Sequence, residues 1–314
     1  MIIFIIISII ILSGCVKNEG SLHIQKVGLI VEGSVTDHSW DEKGYKGLLA
    51  ISKEYDVGVY YEENIKTEQE TLAVVHKFIK DGVNLIFGHS NIYGRYFSEI
   101  AADYPDVHFV YFNGGYFDEN ITALNFNSHA MGFFGGVVAS RMSKTNEIGI
   151  IAAYEWQAEI EGFYEGAKYQ DPATKVHVNF VNDWNNQDVA LTLYEGMKEM
   201  DVDVFYPAGD YFSLDIIEKA SQDGIYTVGY VSDQSNFDET TVLTSTVQHA
   251  DKLYLYAAES FNNKSLDGGL LSFDFQDGAI TLGEFSSEVP KGFQKKIRRL
   301  VDKYTETNLL PHEQ

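Results

Sequence analysis

The length and charge of the chain limit the classes of protein to which it can belong. Its 314 residues correspond to about two domains, and 45% of them are apolar, which suits a protein with a large core. The formal net charge of −23 repels a phosphate backbone, so nucleic acid is not an expected partner. The basic run Lys295-Lys296-Ile297-Arg298-Arg299 is interpreted as the solvated face of a closing helix.

The N-terminal segment has the pattern of an export signal. Residues 1–11 are almost all apolar, but they are about half as long as a membrane-spanning helix. Leu12-Ser13-Gly14 precedes Cys15, the single cysteine, and this ending resembles a bacterial lipobox. The resemblance implies that residues 1–14 are a signal peptide and that Cys15 carries a diacylglycerol anchor. Residues 15–25 would then be the lipidated cysteine and a polar tether, on the extracytoplasmic face of the cell membrane.

One feature of the N-terminus departs from the signal-peptide pattern. The segment before Cys15 contains no Lys or Arg, which a signal peptide usually has. The alternative is a hydrophobic terminus with a buried cysteine.

The rest of the chain alternates between patterns typical of strands and of helices. Apolar runs of strand length occur at residues 27–31, 57–61, 84–87, 108–112, 148–152, 176–181, 202–206 and 226–230. Helical periodicity occurs at residues 70–80, 93–102, 160–168, 189–200, 214–223 and 250–261. Parallel strands need helical crossovers, so the alternation predicts an α/β fold with parallel sheets. Two such sets predict two Rossmann-like lobes around a hinge and a cleft.

Several kinds of chemistry have no support in the sequence. There is no His-x-His, no His-Glu-x-x-His, no phosphate-binding loop and no Gly-x-Gly-x-x-Gly after a strand, so we expect no metal or cofactor. Gly88-His89-Ser90 partly matches a nucleophile elbow, but Ile92 stands where that motif requires Gly. We therefore predict a binding protein with no catalytic residues.

Aromatic residues give a positive indication of function. Trp40 follows the first strand of lobe one, and Trp184 follows the second strand of lobe two. Ligands of open α/β sheets bind beyond the carboxyl ends of the strands, so the two indoles are predicted to sandwich a planar ligand. Trp156 is a third candidate near the same edge. The alternative for all three is the packing of loops.

Several motifs together resemble the basic membrane protein, or purine nucleoside receptor, family of solute-binding lipoproteins. They are Asp37-His38-Ser39-Trp40-Asp41, Gly132-Phe133-Phe134-Gly135-Gly136, Ser232-Asp233-Gln234 and Leu243-Thr244-Ser245-Thr246-Val247. The resemblance implies a type I periplasmic-binding-protein fold, a nucleoside-like ligand and delivery to an ABC transporter in the membrane. It also implies three chain crossings at the hinge, with lobe one formed by residues 24–127 and 246–272, and lobe two by 128–245 and 273–314.

The polar residues of the predicted ligand site are Glu32, Asp37, Asp41, Asn113, Asp210, Asp233 and Gln248. Three of the family's polar positions differ here, because Asn113, Val231 and Gln248 stand where the family commonly has Asp, Asp and Lys. At a fourth position, the end of the first strand, the family commonly has Asp and this chain has Val31. Glu32, the next residue, is predicted to supply the missing carboxylate. This variant pattern is similar to that of a regulatory lipoprotein of bacilli within the family. It implies an alternative function, positive regulation of competence gene expression.

Overall fold

The computed structural model describes residues 23–36 and 40–314. The predicted signal peptide, Cys15, most of the tether and Asp37 lie outside these ranges. The strands are β1 (Lys26–Ile30), β2 (Gly58–Glu62), β3 (Leu85–Gly88), β4 (His108–Phe112), β5 (Ile121–Phe126), β6 (Glu147–Ala152), β7 (Lys175–Phe180), β8 (Val204–Ala208), β9 (Tyr226–Gly229), β10 (Val242–Gln248), β11 (Gly269–Phe273) and β12 (Ile280–Leu282).

Helices separate most of these strands, as the alternating pattern predicts. They are α1 (Trp40–Tyr55), α2 (Glu68–Lys80), α3 (Ile92–Ser98), α4 (His129–Met142), α5 (Ala158–Gln170), α6 (Gln187–Lys198), α7 (Phe212–Asp223), α8 (Ala250–Asn262) and α9 (Lys291–Thr307), with a short 3-10 helix at Ala101–Asp103. Among the helices of the described ranges, none has both the length and the apolar character of a membrane span.

The strands form two six-stranded sheets, and we call each sheet with its helices a lobe. Lobe one has the order β11-β5-β4-β3-β1-β2, and lobe two has β12-β10-β9-β8-β6-β7. The predicted α/β fold with two parallel sheets is confirmed, with one exception. Strand β12 is antiparallel to β10. It is a late, short strand whose place at the sheet edge needs no helical crossover.

Burial explains which strands the sequence revealed. Strands β3, β4 and β8 are buried along their whole length and read as continuous apolar runs. Helix α4 was not predicted, because it is buried on nearly every side and therefore lacks an amphipathic period. Strands β5 and β10–β12 were not predicted either; β5, β10 and β12 each follow another strand with no helix between them.

The chain passes between the two lobes three times, after β5, after β10 and after β11. The passages are tied to one another: Asn127 donates its backbone N–H to the carbonyl of Phe273 (2.8 Å) and its side-chain amide to Asp274 (2.7 Å). His249 donates its backbone N–H to the carbonyl of Ala279 (2.8 Å). The predicted boundaries at residues 245/246 and 272/273 fall within β10 and β11, so these two passages lie slightly later in the chain. Three linked passages restrict relative motion of the lobes to bending.

Glycines allow α4 and α5 to cross with their backbones in contact. A Cβ added at Gly136 would lie 2.0 Å from the carbonyl oxygen of Phe163, and one at Gly166 would lie 1.9 Å from that of Phe133. Equally close approaches occur at Gly132 and Gly162. These obstacles are backbone atoms, which no change of side-chain rotamer can move.

We expect Gly166→Ala to lower the free energy of unfolding by roughly 3 kcal/mol, the upper range for overpacking. Urea denaturation of the purified protein measures this change. The matched control is Gly196→Ala in α6, where an added Cβ has nothing within 4 Å. There the substitution should stabilise the helix by about 0.5 to 1 kcal/mol. The same effect at both positions would contradict the close crossing.

Candidate ligand cleft between the lobes

The cleft lies where the loops after β1 and β3 of lobe one meet the loop after β8 of lobe two. In an open parallel sheet all these loops leave from the carboxyl ends of strands. Trp40, the first residue of α1, lies at this meeting point. Its environment is therefore set by both lobes.

The indole of Trp40 lies against the ring of His89, with 4.3 Å between ring centroids and 14° between planes. The two residues also exchange hydrogen bonds. Trp40 Nε1–H donates to the carbonyl of His89 (3.0 Å), and His89 Nε2 lies 2.8 Å from the carbonyl of Trp40. The rings of Phe112 and Phe126 meet the indole edge-on. These contacts hold the indole ring of Trp40 in one orientation.

The hydrogen bonds of His89 determine its tautomer. A carbonyl oxygen can only accept, so Nε2 carries the proton that it donates to Trp40, and Nδ1 accepts from the hydroxyl of Tyr254 (3.0 Å). Burial lowers the pKa of His89 to about 3, so the ring is neutral at physiological pH. His89 was not among the predicted site residues. Its place directly after a buried strand was the available signal.

Polar groups of both lobes surround the first turn of α1. Asp210, after β8, accepts the backbone N–H of Trp40 with Oδ1 at 2.9 Å. Asp41 accepts the backbone N–H of Gly33 at 2.7 Å, and Lys43 Nζ donates to the carbonyl of Gln248 at 3.0 Å. The structure therefore brings Asp41 and Asp210 together, as predicted site residues from different lobes. Lys43 was missed, because a lysine in a helix pattern is normally a surface residue.

Burial shifts the titration of these groups. It raises the pKa of Asp41 to about 7, with further increases from the charges of Asp210 and Glu32, against the hydrogen bond from Gly33. Burial likewise raises the pKa of Asp210 to about 6 and lowers that of Lys43 to about 8. The closed cleft therefore disfavours the charged form of each of these side chains.

Trp184 has a different set of neighbours from Trp40. Its ring lies 5.4 Å from that of Tyr154 and 5.8 Å from that of Trp156, both at steep angles. Trp156 is 57% exposed and stacks on Tyr154. These three side chains form an aromatic cluster on lobe two, after β6 and β7. The predicted sandwich of a ligand between Trp40 and Trp184 stays a prediction.

Two other predicted site residues have bonds within their own lobe. Asn113 is exposed and has a positive φ of 56°, and its side chain accepts a long bond from the backbone of Phe126. The carboxylate of Asp233 accepts the backbone N–H groups of Ser235 (3.1 Å) and Glu284 (3.0 Å). Asp233 therefore ties the loop after β9 to the segment after β12.

The remaining predicted residues differ in position. Gln248 is 6% exposed, and its amide lies 3.7 Å from the sulfur of Met131 inside lobe two. Glu32 is partly exposed and close enough to Asp41 to raise its pKa. In the described part of the chain, no group of three or more His, Cys, Asp or Glu side chains could hold a metal ion.

The described residues enclose a small cavity at the meeting point of the lobes. A cavity of about 20 Å³ lies beside Trp40, enough for about one water molecule, whereas ligand pockets measure roughly 300 to 1,000 Å³. It is lined by Trp40, Gly209, Asp210, Ser213, Leu214, Tyr230, Val231, Ser232 and Gln234. A larger cavity of about 550 Å³ lies between the end of α1 and α8, around Tyr55 and Leu255.

The raised pKa of Asp41 predicts a pH-dependent stability difference. A carboxyl group whose pKa is higher in the folded state stabilises that state fully below its unfolded value of 3.8, and this contribution is lost as the pH rises through about 7. We expect Asp41→Asn, which keeps an acceptor for Gly33, to become more stable relative to wild type as the pH rises from 4 to 8. The expected change is on the order of 2 to 4 kcal/mol.

Denaturation of both proteins across this pH range measures the difference. The two proteins are compared with each other because the buried His89 and His108, whose pKa values are lowered, make both proteins more stable as the pH rises. This contribution cancels in the difference between variant and wild type. As a control, Asp223→Asn should differ from wild type by a constant amount between pH 4 and 8, because Lys198 and Lys219 lower the pKa of Asp223 to about 2 and its contribution is complete above the unfolded value of 3.8. A constant difference for Asp41→Asn would contradict the burial of its charge.

Comparisons with known proteins show the family and the fold. The model of the Bmp family, described as ABC transporter substrate-binding protein PnrA-like, matches residues 24–313. The chain is 43% identical over 303 residues to the transcriptional activator protein med of Bacillus subtilis strain 168, covering 96% of each protein. It is 23% identical over 320 residues to basic membrane protein A2 of Borrelia garinii subsp. bavariensis, covering 96% of this chain and 93% of the relative.

Two solved structures have the same fold. A transcriptional activator of the comK gene from Bacillus halodurans superposes with a TM-score of 0.86 and 45% identity, over 91% of this chain and all (100%) of the other. A solute-binding protein of an ABC transporter system from Aeropyrum pernix K1 gives 0.73 and 17% identity, over 91% of this chain and 81% of the other, which shows the fold alone. The chain belongs to the PnrA-like family of ABC transporter substrate-binding proteins, as the resemblance in its motifs predicted.

Proposed function

We propose that this protein is a lipid-anchored, extracytoplasmic member of the substrate-binding family that acts as a positive regulator of gene expression, including competence genes. The observation that carries the proposal is the cleft, which is closed by contacts between the lobes and has a cavity of only about 20 Å³. Relatives at 43% and 45% identity over most of the chain are named as transcriptional activators, which supports the same function here.

Regulation by this protein does not require contact with DNA. The net charge of −23 opposes binding to a phosphate backbone, and a lipid on Cys15 would hold the folded part outside the cytoplasm. Because one acyl chain gives only marginal membrane binding, the several chains of a lipoprotein anchor suit this task. The output would then pass through a membrane partner that recognises the position of the lobes.

A reporter assay tests the regulatory function and the anchor together. In cells lacking the gene, the full-length protein should restore expression from a comK-type promoter, and Cys15→Ser should restore little and no longer fractionate with membranes. Cys15→Ser removes the single cysteine of the chain, which is the proposed site of the lipid. Full activity of a non-membrane Cys15→Ser protein would contradict the anchored mechanism. Reporter expression that is independent of the gene would contradict the regulatory function.

A second candidate function is the binding of a small planar, nucleoside-like solute for an ABC transporter. The orientation of Trp40 favours it, because its fixed indole offers a flat face, and stacking on a base contributes about 1 to 3 kcal/mol. The lobes would have to open to admit such a ligand, with Trp184 contributing from lobe two. Asp37, Asp41 and Asp210 would then orient the polar edge of the ligand.

Isothermal titration of the full chain carrying Cys15→Ser with a panel of purine and pyrimidine nucleosides tests this second function. If one binds, Trp40→Ala should weaken affinity at least tenfold, and a Trp40→Ala, Trp184→Ala double-mutant cycle should be non-additive. Tyr164→Ala is the control, since this exposed ring lies on α5 and does not line the cavity beside Trp40. An unchanged affinity of Trp40→Ala, or no binding by any nucleoside, would exclude a nucleoside sandwich.

A further inference from the structure

We propose that the Asp210 carboxylate takes the place of a bound solute in the cleft. It holds the two lobes closed by accepting a hydrogen bond from the first turn of α1. Its carboxylate belongs to lobe two and the N–H belongs to Trp40 of lobe one, 170 residues earlier in the chain. In a solute-binding protein a solute usually supplies the contacts that bridge the lobes. Here a side chain of the protein supplies one of them.

The position of this carboxylate explains why it can act in this way. The first N–H groups of a helix have no partner within the helix, and the helix dipole favours a negative charge beside them. Helix α1 has 16 residues, and Trp40 is the first of them. Asp210 places a carboxylate oxygen on one of these donors, the N–H of Trp40.

Two neighbouring contacts bring the lobes close at the same point. A Cβ on Gly33 would lie 2.9 Å from the hydroxyl of Tyr211, the residue after Asp210. Lys43, one turn into α1, donates to the carbonyl of Gln248 at the end of β10. Lys43 is also the cation that acts on Asp210. The lobes therefore meet in a small cluster of contacts, in which Asp210 accepts from the N–H of Trp40.

The contact is suited to reversible closure. Taking the Asp210 carboxylate out of water opposes closure, while the hydrogen bond from Trp40 and the charge of Lys43 favour it. Because the cost of burial offsets the hydrogen bond and the charge of Lys43, this contact favours closure by less than a hydrogen bond to an exposed carboxylate would, so a partner that prefers one state can shift the population. This inference does not depend on whether a solute binds.

Distance measurements between the lobes test the proposal without any solute. Fluorescent labels at Lys80→Cys in lobe one and Glu199→Cys in lobe two report lobe separation by energy transfer, in the full chain carrying Cys15→Ser, which has no other cysteine. Both labelled positions are exposed helix ends. We expect Asp210→Ala to raise the ratio of open to closed molecules roughly tenfold, as loss of one hydrogen bond to a charged group predicts.

Two further variants make the result specific. Asp210→Asn keeps a side-chain oxygen that can accept from Trp40 and should stay closed. Asp203→Ala removes a carboxylate that accepts the backbone N–H groups of Lys144 and Thr145 within lobe two, so it should lose stability without changing lobe separation. An unchanged separation in Asp210→Ala, an opening of Asp210→Asn to the same extent, or an equal opening in Asp203→Ala would overturn the proposal. Because no solute is added, a failure here is distinct from a failure of the regulatory or nucleoside hypothesis.

Discussion

The first turn of α1 is the point on which the arrangement of the cleft depends. Three contacts converge there: His89 backs the indole of Trp40, Gly33 donates to Asp41, and Asp210 accepts from the backbone of Trp40. The first two fix the turn to lobe one, and the third joins it to lobe two. A helix start with unpaired N–H groups requires partners, and here the opposite lobe provides one of them. The position of this helix end therefore determines both the orientation of the Trp40 indole and the contact that closes the lobes.

Closure at the cleft is possible because the hinge on the other side is well defined. Asp274, at the third passage between lobes, is buried and accepts hydrogen bonds from Asn127 at 2.7 Å and Tyr304 at 2.6 Å. It links the first passage, the third passage and the closing helix α9 in one polar cluster. Buried polar groups that are all satisfied specify one arrangement. The lobes thus bend about a fixed line, and weak contacts at the cleft are sufficient to set their separation.

A fixed hinge combined with weak contacts at the cleft suits a protein of a substrate-binding family whose relatives include named transcriptional activators. A transport receptor needs a pocket that fits its solute, whereas a regulator needs two states that a partner can distinguish. The buried, charge-disfavouring environment of Asp41, Lys43 and Asp210 makes the closed state sensitive to small changes. The same fold can therefore serve either task, with the side chains of the cleft deciding between them.

Local pattern determined the fold class, because buried central strands such as β4 read as apolar runs and amphipathic helices such as α7 have a clear period. It also placed Trp40, Asp41 and Asp210 after strands, where parallel sheets put their ligands. Only the tertiary structure decided that Asp210 accepts from the backbone of Trp40, that the ring of His89 stacks on the Trp40 indole, and that Trp184 packs against Tyr154 and Trp156. These contacts join residues tens to hundreds of positions apart, and their geometry follows from how the two sheets are held at the hinge. No periodicity within a short window of sequence contains that information.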